Sequence, residues 1–438
     1  MTEQHEGGPR VVGIADADSY VKWAAALLGA VGRAQSRLVL VRTPLTVSAD
    51  QERAALAGSG ISAAQLERLD FADLRGWLEA TAPDVVVVAG RGPFVRMVVH
   101  AVRTLHPRPV IVSGMPGMSI PAQRGAVHYR REVDLFVVHS RREKRAFRDL
   151  AERMEVPLRL GLATLPFAQS SVMRHGGDDL VFAAQALVPR EREERLALAD
   201  ILRRAAIAHP DRRVVVKLRS RPEVGERETH HDVAPYPELF RELGELPRNL
   251  VFSHEPMSEA LAGAEGLVTV SSTAAIEAIA RGIPVIAVDT FGISKANLNI
   301  VFAASGVLGG ADEVIARRFR HPTVEWVRDN YFHEPARSTW WSEVEGLLAA
   351  RREGTLVSPP PTRLRGGWIR EAWDRKSVLG VYDRTVSGWI ALRLGIPVRA
   401  VILWARARRG STGRFSWAEA DSDITLTPAL YQEPLRQS

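Results

Sequence analysis

The sequence predicts an α/β protein with two successive doubly wound halves and a basic helical tail. Three observations carry this prediction. Short apolar runs alternate with helical patterns through most of the chain, as parallel sheets with crossover helices require. The alternation breaks once, at Arg174-His-Gly-Gly-Asp-Asp179, and then restarts. Ser358-Pro-Pro-Pro361 then precedes a stretch dense in arginine and tryptophan. The expected units are residues 1–173, 174–357 and 358–438.

In the first half, strands are expected at Arg10–Ala15, Leu38–Val41, Val85–Ala89, Val110–Val112 and Leu135–His139, with a further one at Pro157–Leu160. Helices are expected at Tyr20–Val31, Ala63–Ala80, Val95–Leu105 and Arg141–Met154. In the second half the strands are Leu180–Ala184, Val214–Lys217, Leu250–Phe252, Leu267–Val270 and Pro284–Val288. Helices fall at Glu191–Ala208, Glu238–Leu243 and Met257–Ala264, and Glu325–Arg352 reads as helical throughout. In the tail, Tyr382, Val386, Trp389 and Ile390 share one helical face within Ser377–Leu394. That face suits either an anionic membrane surface or packing across another domain.

Composition sets limits on the chemistry. The 438 residues include no cysteine, which excludes disulfides, thiolate metal sites and a cysteine nucleophile. Residues 1–9 are polar with two glutamates, so no signal peptide is expected, and no apolar run reaches the roughly 18 residues of a membrane span. The expected location is the cytoplasm, peripheral at the inner face of the plasma membrane if the tail meets lipid rather than packing on the domains. The net charge is +7, yet residues 363–414 alone hold twelve Lys/Arg against three acids. Positive charge is therefore regional, and nucleic acid is not an expected partner.

Four clusters fall at strand ends or helix starts. The segment from Gly266 to Asp289 reads as strand, hydroxyl cluster (Ser271, Ser272, Thr273), helix, Gly282 stop and second strand. Hydroxyls and orphan N–H groups at a helix start attract phosphate, although serine and threonine there also serve as plain caps. Lys217, Arg219 and Arg221 alternate beyond a strand end in the same half, with His230 and His231 downstream. Glu277 lies one turn into the helix, where it suits either a ribose hydroxyl or an ion pair with Arg281. In the first half, Asp16 and Asp18 follow the first strand; either suits a general base, and one of Asp18 and Ser19 is expected to cap the helix. Gly114 and Gly117 permit close approach to a ligand, with Arg124, His128 and Arg130 downstream and His139 at another strand end. No carboxylate–histidine spacing supports a metal, and no cofactor is expected.

These residues resemble a known type. Two doubly wound halves with a nucleotide site in the second resemble the GT-B glycosyltransferase plan, two Rossmann-like domains facing a cleft. The Ser-Ser-Thr-helix-Gly-Ile-Pro-Val pattern at 266–286 resembles the SS/ST element of bacterial capsule-type transferases, including polysialyltransferases and Kdo transferases, which use CMP-activated sugars. The partner His-Pro loop of those enzymes is replaced here by Lys217-Leu-Arg-Ser-Arg-Pro222. Asp16–Trp23 and Gly114–Arg130 also resemble an uncharacterised actinobacterial glycosyltransferase group.

The resemblance implies a metal-independent transferase that moves a sugar, for example a nonulosonic acid, from a nucleotide donor to a cell-envelope or capsule glycan or a lipid-linked acceptor. Lys217, Arg219 and the three hydroxyls would hold the donor phosphate, Glu277 the ribose or base, and Asp16 or Asp18 would act as base. The alternatives are a CDP-glycerol-type polyol-phosphate transferase, a GT-B-like sugar-nucleotide epimerase, and a non-catalytic nucleotide-sugar-binding protein at the membrane surface.

Overall fold

The computed structural model describes residues 8–408 apart from Arg33, Thr46, 170–175, Leu187, 219–233 and 363–366. The first lobe holds strands β1 (Arg10–Ala15), β2 (Gln35–Val41), β3 (Leu66–Leu69), β4 (Val85–Ala89), β5 (Val110–Gly114), β6 (Leu135–Val138) and β7 (Leu160–Leu162). They form one parallel sheet in the order β3-β2-β1-β4-β5-β6-β7. Its helices are α1 (Asp18–Gly29), α2 (Ala49–Leu56), α3 (Phe71–Thr81), α4 (Gly92–Val102), α5 (Arg124–Arg130) and α6 (Arg141–Arg153). Central strands read as unbroken β-branched runs because both faces are covered: every residue of Val85–Ala89 is buried.

The second lobe repeats the plan with β8 (Asp179–Ala183), β9 (Val214–Lys217), β10 (Leu250–Ser253), β11 (Ala264–Thr269), β12 (Val285–Val288) and β13 (Leu308–Gly309). The order is β10-β9-β8-β11-β12-β13, again parallel. Its helices are α7 (Arg192–Ala208), α8 (Tyr236–Glu242), α9 (Met257–Ala260), α10 (Ala274–Ala280), α11 (Ala311–Ile315) and α12 (Val324–Asp329). Gly282, at φ +74°, ends α10 in the left-handed conformation that glycine adopts without steric cost. Two parallel Rossmann-like lobes flanking a cleft make this a GT-B fold. Each sheet has a switch point, between β1 and β4 in the first and between β8 and β11 in the second, where chain order reverses and a crevice opens beyond the strand ends.

Several segments differ from the sequence expectation. Residues 63–80 are not one helix; the edge strand β3 precedes α3. Residues 325–352 divide into α12 and α13 (Trp340–Arg352), with Pro335 opening a short 3-10 turn between them. Chain order groups α13 with the second half, but it packs on the first sheet: Trp340, Val344, Leu347 and Leu348 share a core with Val85, Val87, Val110 and Val137. Gly161 permits that approach, since a Cβ there would lie 2.8 Å from the Trp340 Cα.

The linker also runs along the first lobe, where Arg103 donates to the Pro359 carbonyl at 2.7 Å. The tail is a hairpin of α14 (Gly367–Leu379) and α15 (Val386–Arg408), so the single helix expected over 377–394 is interrupted at Gly380–Asp383. Gly380 sits at φ +55° in that break. In α15, side chains are described through Pro397 and at Trp404.

Candidate functional site

The second lobe's switch point carries the hydroxyl cluster. Gln185, just past β8, reaches across to the loop that follows β11. Its side-chain oxygen accepts from the Ser271 N–H at 2.9 Å, and its amide donates to the Ser271 hydroxyl at 3.1 Å. Thr269 Oγ1 accepts from the Ser272 N–H at 3.1 Å, and Ser272 Oγ accepts from the Ala274 N–H at 3.2 Å. Thr273 occupies the N-cap position, but its side chain makes no capping hydrogen bond. Ser272 therefore does local capping, Ser271 is oriented by Gln185, and Thr273 is not committed to the helix end. Because α10 has only seven residues, side-chain donors rather than a long helix dipole must supply most of any anion attraction here.

A cavity of about 510 Å³ separates this loop from the first lobe. Lys217, at the end of β9, and Ser271, Ser272, Thr273 and Glu277 line its second-lobe wall. Asp18, Ser19 and Lys22 of α1 and Gln51 of α2 line the opposite wall. The cavity thus has a cation and an acid on each side, Lys217 and Glu277 facing Asp18 and Lys22. Burial lowers the Lys22 pKa, while Glu277 pulls it back up. Glu277 itself accepts from Arg281 at 2.7 Å one turn along α10, so the i, i+4 pair exists, but it is buried rather than solvated. Lys217 is buried apart from a small fraction and donates to the Leu218 carbonyl.

The other strand-end residues lie elsewhere. Asp16 is fully buried beneath the first switch point and does not line the cavity. Its Oδ2 accepts from Arg91 Nε at 3.3 Å, and its Oδ1 has no hydrogen-bond partner. Burial outweighs the Arg91 charge and raises the Asp16 pKa to about 6. Asp18 is the first residue of α1, with Ala17 at the N-cap, so neither Asp18 nor Ser19 is the cap.

His139 is likewise internal. It accepts from the Trp23 indole at Nε2 over 2.7 Å, while its Nδ1 lies 2.9 Å from the Ala163 carbonyl. The Trp23 and Ala163 contacts suit a neutral ring protonated at Nδ1, with the Met115 carbonyl a further 3.0 Å neighbour of Nε2, and burial lowers its pKa to about 4. Gly114 faces the same tryptophan: a Cβ there would lie 2.6 Å from Trp23 Cζ2, so this glycine serves core packing rather than a ligand. Arg130 is buried as well, donating to Ser113 Oγ at 3.1 Å and to the Gly90 carbonyl at 2.7 Å.

His128 faces Arg96 at 3.4 Å, and burial lowers its pKa. That position is on the side where α4 meets the tail, away from the cavity. Arg124 opens α5, half-buried, and does not line the cavity. Gly117 reaches the cleft's edge, where a Cβ would come within 3.0 Å of Thr273 Cγ2 in the other lobe. Arg219 and His230 lie outside the described residues.

Sequence reasoning missed Lys22, Gln51 and Gln185. Lys22 stands four residues after Asp18, hence on the same helical face, which is a signal the sequence contains. Gln185 follows the expected strand Leu180–Ala184 at the carboxyl edge, the same kind of position that singled out Lys217. Gln51 sits in α2, in a segment without an apolar run; it forms a capping box with Ser48, whose hydroxyl accepts from the Gln51 N–H at 3.2 Å. Among the described residues, no three His, Asp or Glu side chains converge as metal ligands. No helix among them is long and apolar enough to cross a membrane.

Solved structures share this architecture. The chain is similar to the UDP-GlcNAc 2-epimerase of Methanocaldococcus jannaschii, in complex with UDP-GlcNAc and UDP, at 11% identity and TM-score 0.52 over 79% of this chain and 100% of that one. It is similar to S. aureus MnaA, solved with UDP, at 11% identity and TM-score 0.53, over 82% of this chain and 100% of that one. At these identities the likeness is one of fold. No curated protein matches the chain. The model of one family, described as "Putative glycosyltransferase (DUF6716)", matches residues 11–347, and the chain belongs to that family.

Proposed function

We propose that this protein is a GT-B enzyme acting on a nucleotide-activated sugar. The nucleotide phosphate would lie against Lys217 and the 271–273 loop, and the sugar would point toward α1. The single observation that carries this reading is the cavity itself, with a lysine and three hydroxyl residues on one wall and Asp18 and Lys22 on the other. When the bond between the anomeric carbon and the phosphate oxygen breaks, its electron pair leaves with the phosphate. The Lys217 ammonium and the hydroxyl donors stabilise that developing charge. In a transfer reaction an acceptor hydroxyl forms the new bond to the anomeric carbon and passes its proton to a base. Asp18 takes that role because it lines the cavity, whereas Asp16 is sealed. Glu277 offers a carboxylate to the ribose. Arg219 remains part of the proposed phosphate site on its position in the sequence alone.

A second reading is supported by the fold likeness to UDP-GlcNAc 2-epimerases. In that case the same cavity would invert the sugar's C2 centre with no acceptor, and this outcome has better support than the narrower one of a CMP-activated nonulosonic acid moved to an envelope or capsule glycan. The narrower reading rests on the hydroxyl pattern alone, and family membership does not reach the capsule or polysialic acid subtype.

The test is thermal denaturation with UDP, CMP, CDP and GDP compounds, followed by incubation of UDP-GlcNAc without acceptor. A ligand at 100 times its Kd adds about 2.7 kcal/mol of stability. UDP-selective stabilisation with acceptor-free turnover supports the epimerase. UDP-selective stabilisation with turnover only when a hydroxyl acceptor is added supports the transferase. Absence of stabilisation by every nucleotide removes the proposal.

A further inference from the structure

The tail carries a surface that the cleft does not explain. α14 docks on the first lobe against α4, with an ion pair between Arg96 and Asp374, and α15 packs on α14. The inner side of α15 is fixed against α14. Ala391 is fully buried, and Trp373 packs directly on Gly395. The outer side shows Val386 (74% exposed), Trp389 (56%), Ile396 (56%) and Trp404 (56%), with exposed Arg393 among them. Positions 386, 389, 393 and 396 are spaced by three or four residues, and 404 continues the same side two turns further on, so they form one stripe about 27 Å long. The Arg393 guanidinium lies 5.1 Å over the Trp389 ring. Such exposed aromatic and aliphatic density along one line marks an interaction surface.

Charge selects the occupant. Residues 367–408 hold eight Lys/Arg against Glu371, Asp374 and Asp383. Two of those acids are neutralised locally: Asp374 pairs with Arg96 and Arg370, and Asp383 is buried against Arg375 at 3.2 Å. A second copy of this face would bring like charge against like charge. An anionic bilayer supplies opposite charge and accepts a convex row of apolar side chains, with whatever bend Pro397 introduces, without a matching groove.

We propose that this hairpin seats the protein on an anionic membrane surface. α15 lies in the interfacial plane, with Val386, Trp389, Ile396 and Trp404 at the headgroup–acyl boundary and the basic side chains against lipid phosphates.

The test is flotation of the full chain with phosphatidylcholine vesicles, with and without about one-third phosphatidylglycerol. Expected results are binding to the anionic vesicles that weakens with salt, and about tenfold weaker binding for the Trp389→Ala/Trp404→Ala variant. Lipids brominated in the acyl chains should quench the fluorescence of the wild type and not that of the double variant. Both substitutions are at exposed positions, so an unchanged melting temperature separates lost binding from lost fold. Arg393→Glu should weaken binding to anionic vesicles alone. Equal binding of wild type and double variant overturns the proposal. So does a solution dimer that dissociates on the double substitution, which would make the stripe a self-interface.

Discussion

The two sheets end alike in sequence and differently in space. Each places polar residues past its strands at a switch point, Asp16 beyond β1 in the first lobe and Gln185 with Ser271 beyond β8 and β11 in the second. In the first lobe the crevice is filled from within. Arg91 meets Asp16, Arg130 spans Ser113 and the Gly90 carbonyl, and Trp23 closes on His139. In the second lobe the corresponding groups face a cavity, and the first lobe contributes to that cavity through α1 rather than through its strand ends. A polar strand end becomes a site only if long side chains from neighbouring elements do not plug it first.

The sharpest way to break this comparison is to neutralise each aspartate. Asp18→Asn is expected to lower turnover by about 10²–10⁴-fold, with the nucleotide Kd within about twofold of wild type. Asp16→Asn should change turnover far less. The reverse outcome, measured by steady-state kinetics and calorimetric binding, would move the chemistry to the closed crevice.

A second prediction concerns pH. Burial raises Asp16 from 3.8 and Glu143 from 4.5, each to about 6. Between those values the native state holds protons that the unfolded chain has released, so both groups make stability fall as pH rises from about 4 to about 6, and their effect is level above that. His139, lowered from 6.5 to about 4, acts in the opposite sense: its contribution is full above 6.5 and is lost as pH falls toward 4. Asp16→Asn removes one falling contribution. Relative to wild type, the variant should gain about 3 kcal/mol in denaturant unfolding as pH goes from about 4 to above 6. A flat difference would mean that the Asp16 carboxyl is ionised across the whole range.

A smaller effect tests the open crevice. Lys217→Met is expected to weaken nucleotide binding by roughly 10–100-fold, as loss of a charge-assisted phosphate contact does. His139→Leu, at a strand end of the same outward appearance, should leave affinity within about twofold and lower the melting temperature by stranding the Trp23 indole and the Ala163 carbonyl. Equal affinity losses in both variants would erase the distinction between the crevices.

Most of the strands were legible because their signals are local. Val85–Ala89 and Val214–Lys217 are strands by composition, and Gly282 stops a helix wherever it lies. The edge strand Leu66–Leu69 was not legible. It contains two charged residues, is only half-buried, and runs into α3 with a helix-like spacing. α13 could not be assigned to its lobe, since its partners lie some 200 residues earlier in the chain and no local pattern encodes them.

The candidate site divides along the same line. Periodicity, turn chemistry and the hydroxyl run place Asp16, Asp18, Lys217 and Ser271–Thr273 at strand ends and helix starts, because those are properties of a few adjacent residues. Which of them meets the cleft was decided by distant partners: Arg91 is 75 residues from Asp16, and His139 is 116 from Trp23. A buried charge or ring nitrogen must find its hydrogen-bond partner wherever the packing brings one, and that choice exists only once the chain has folded.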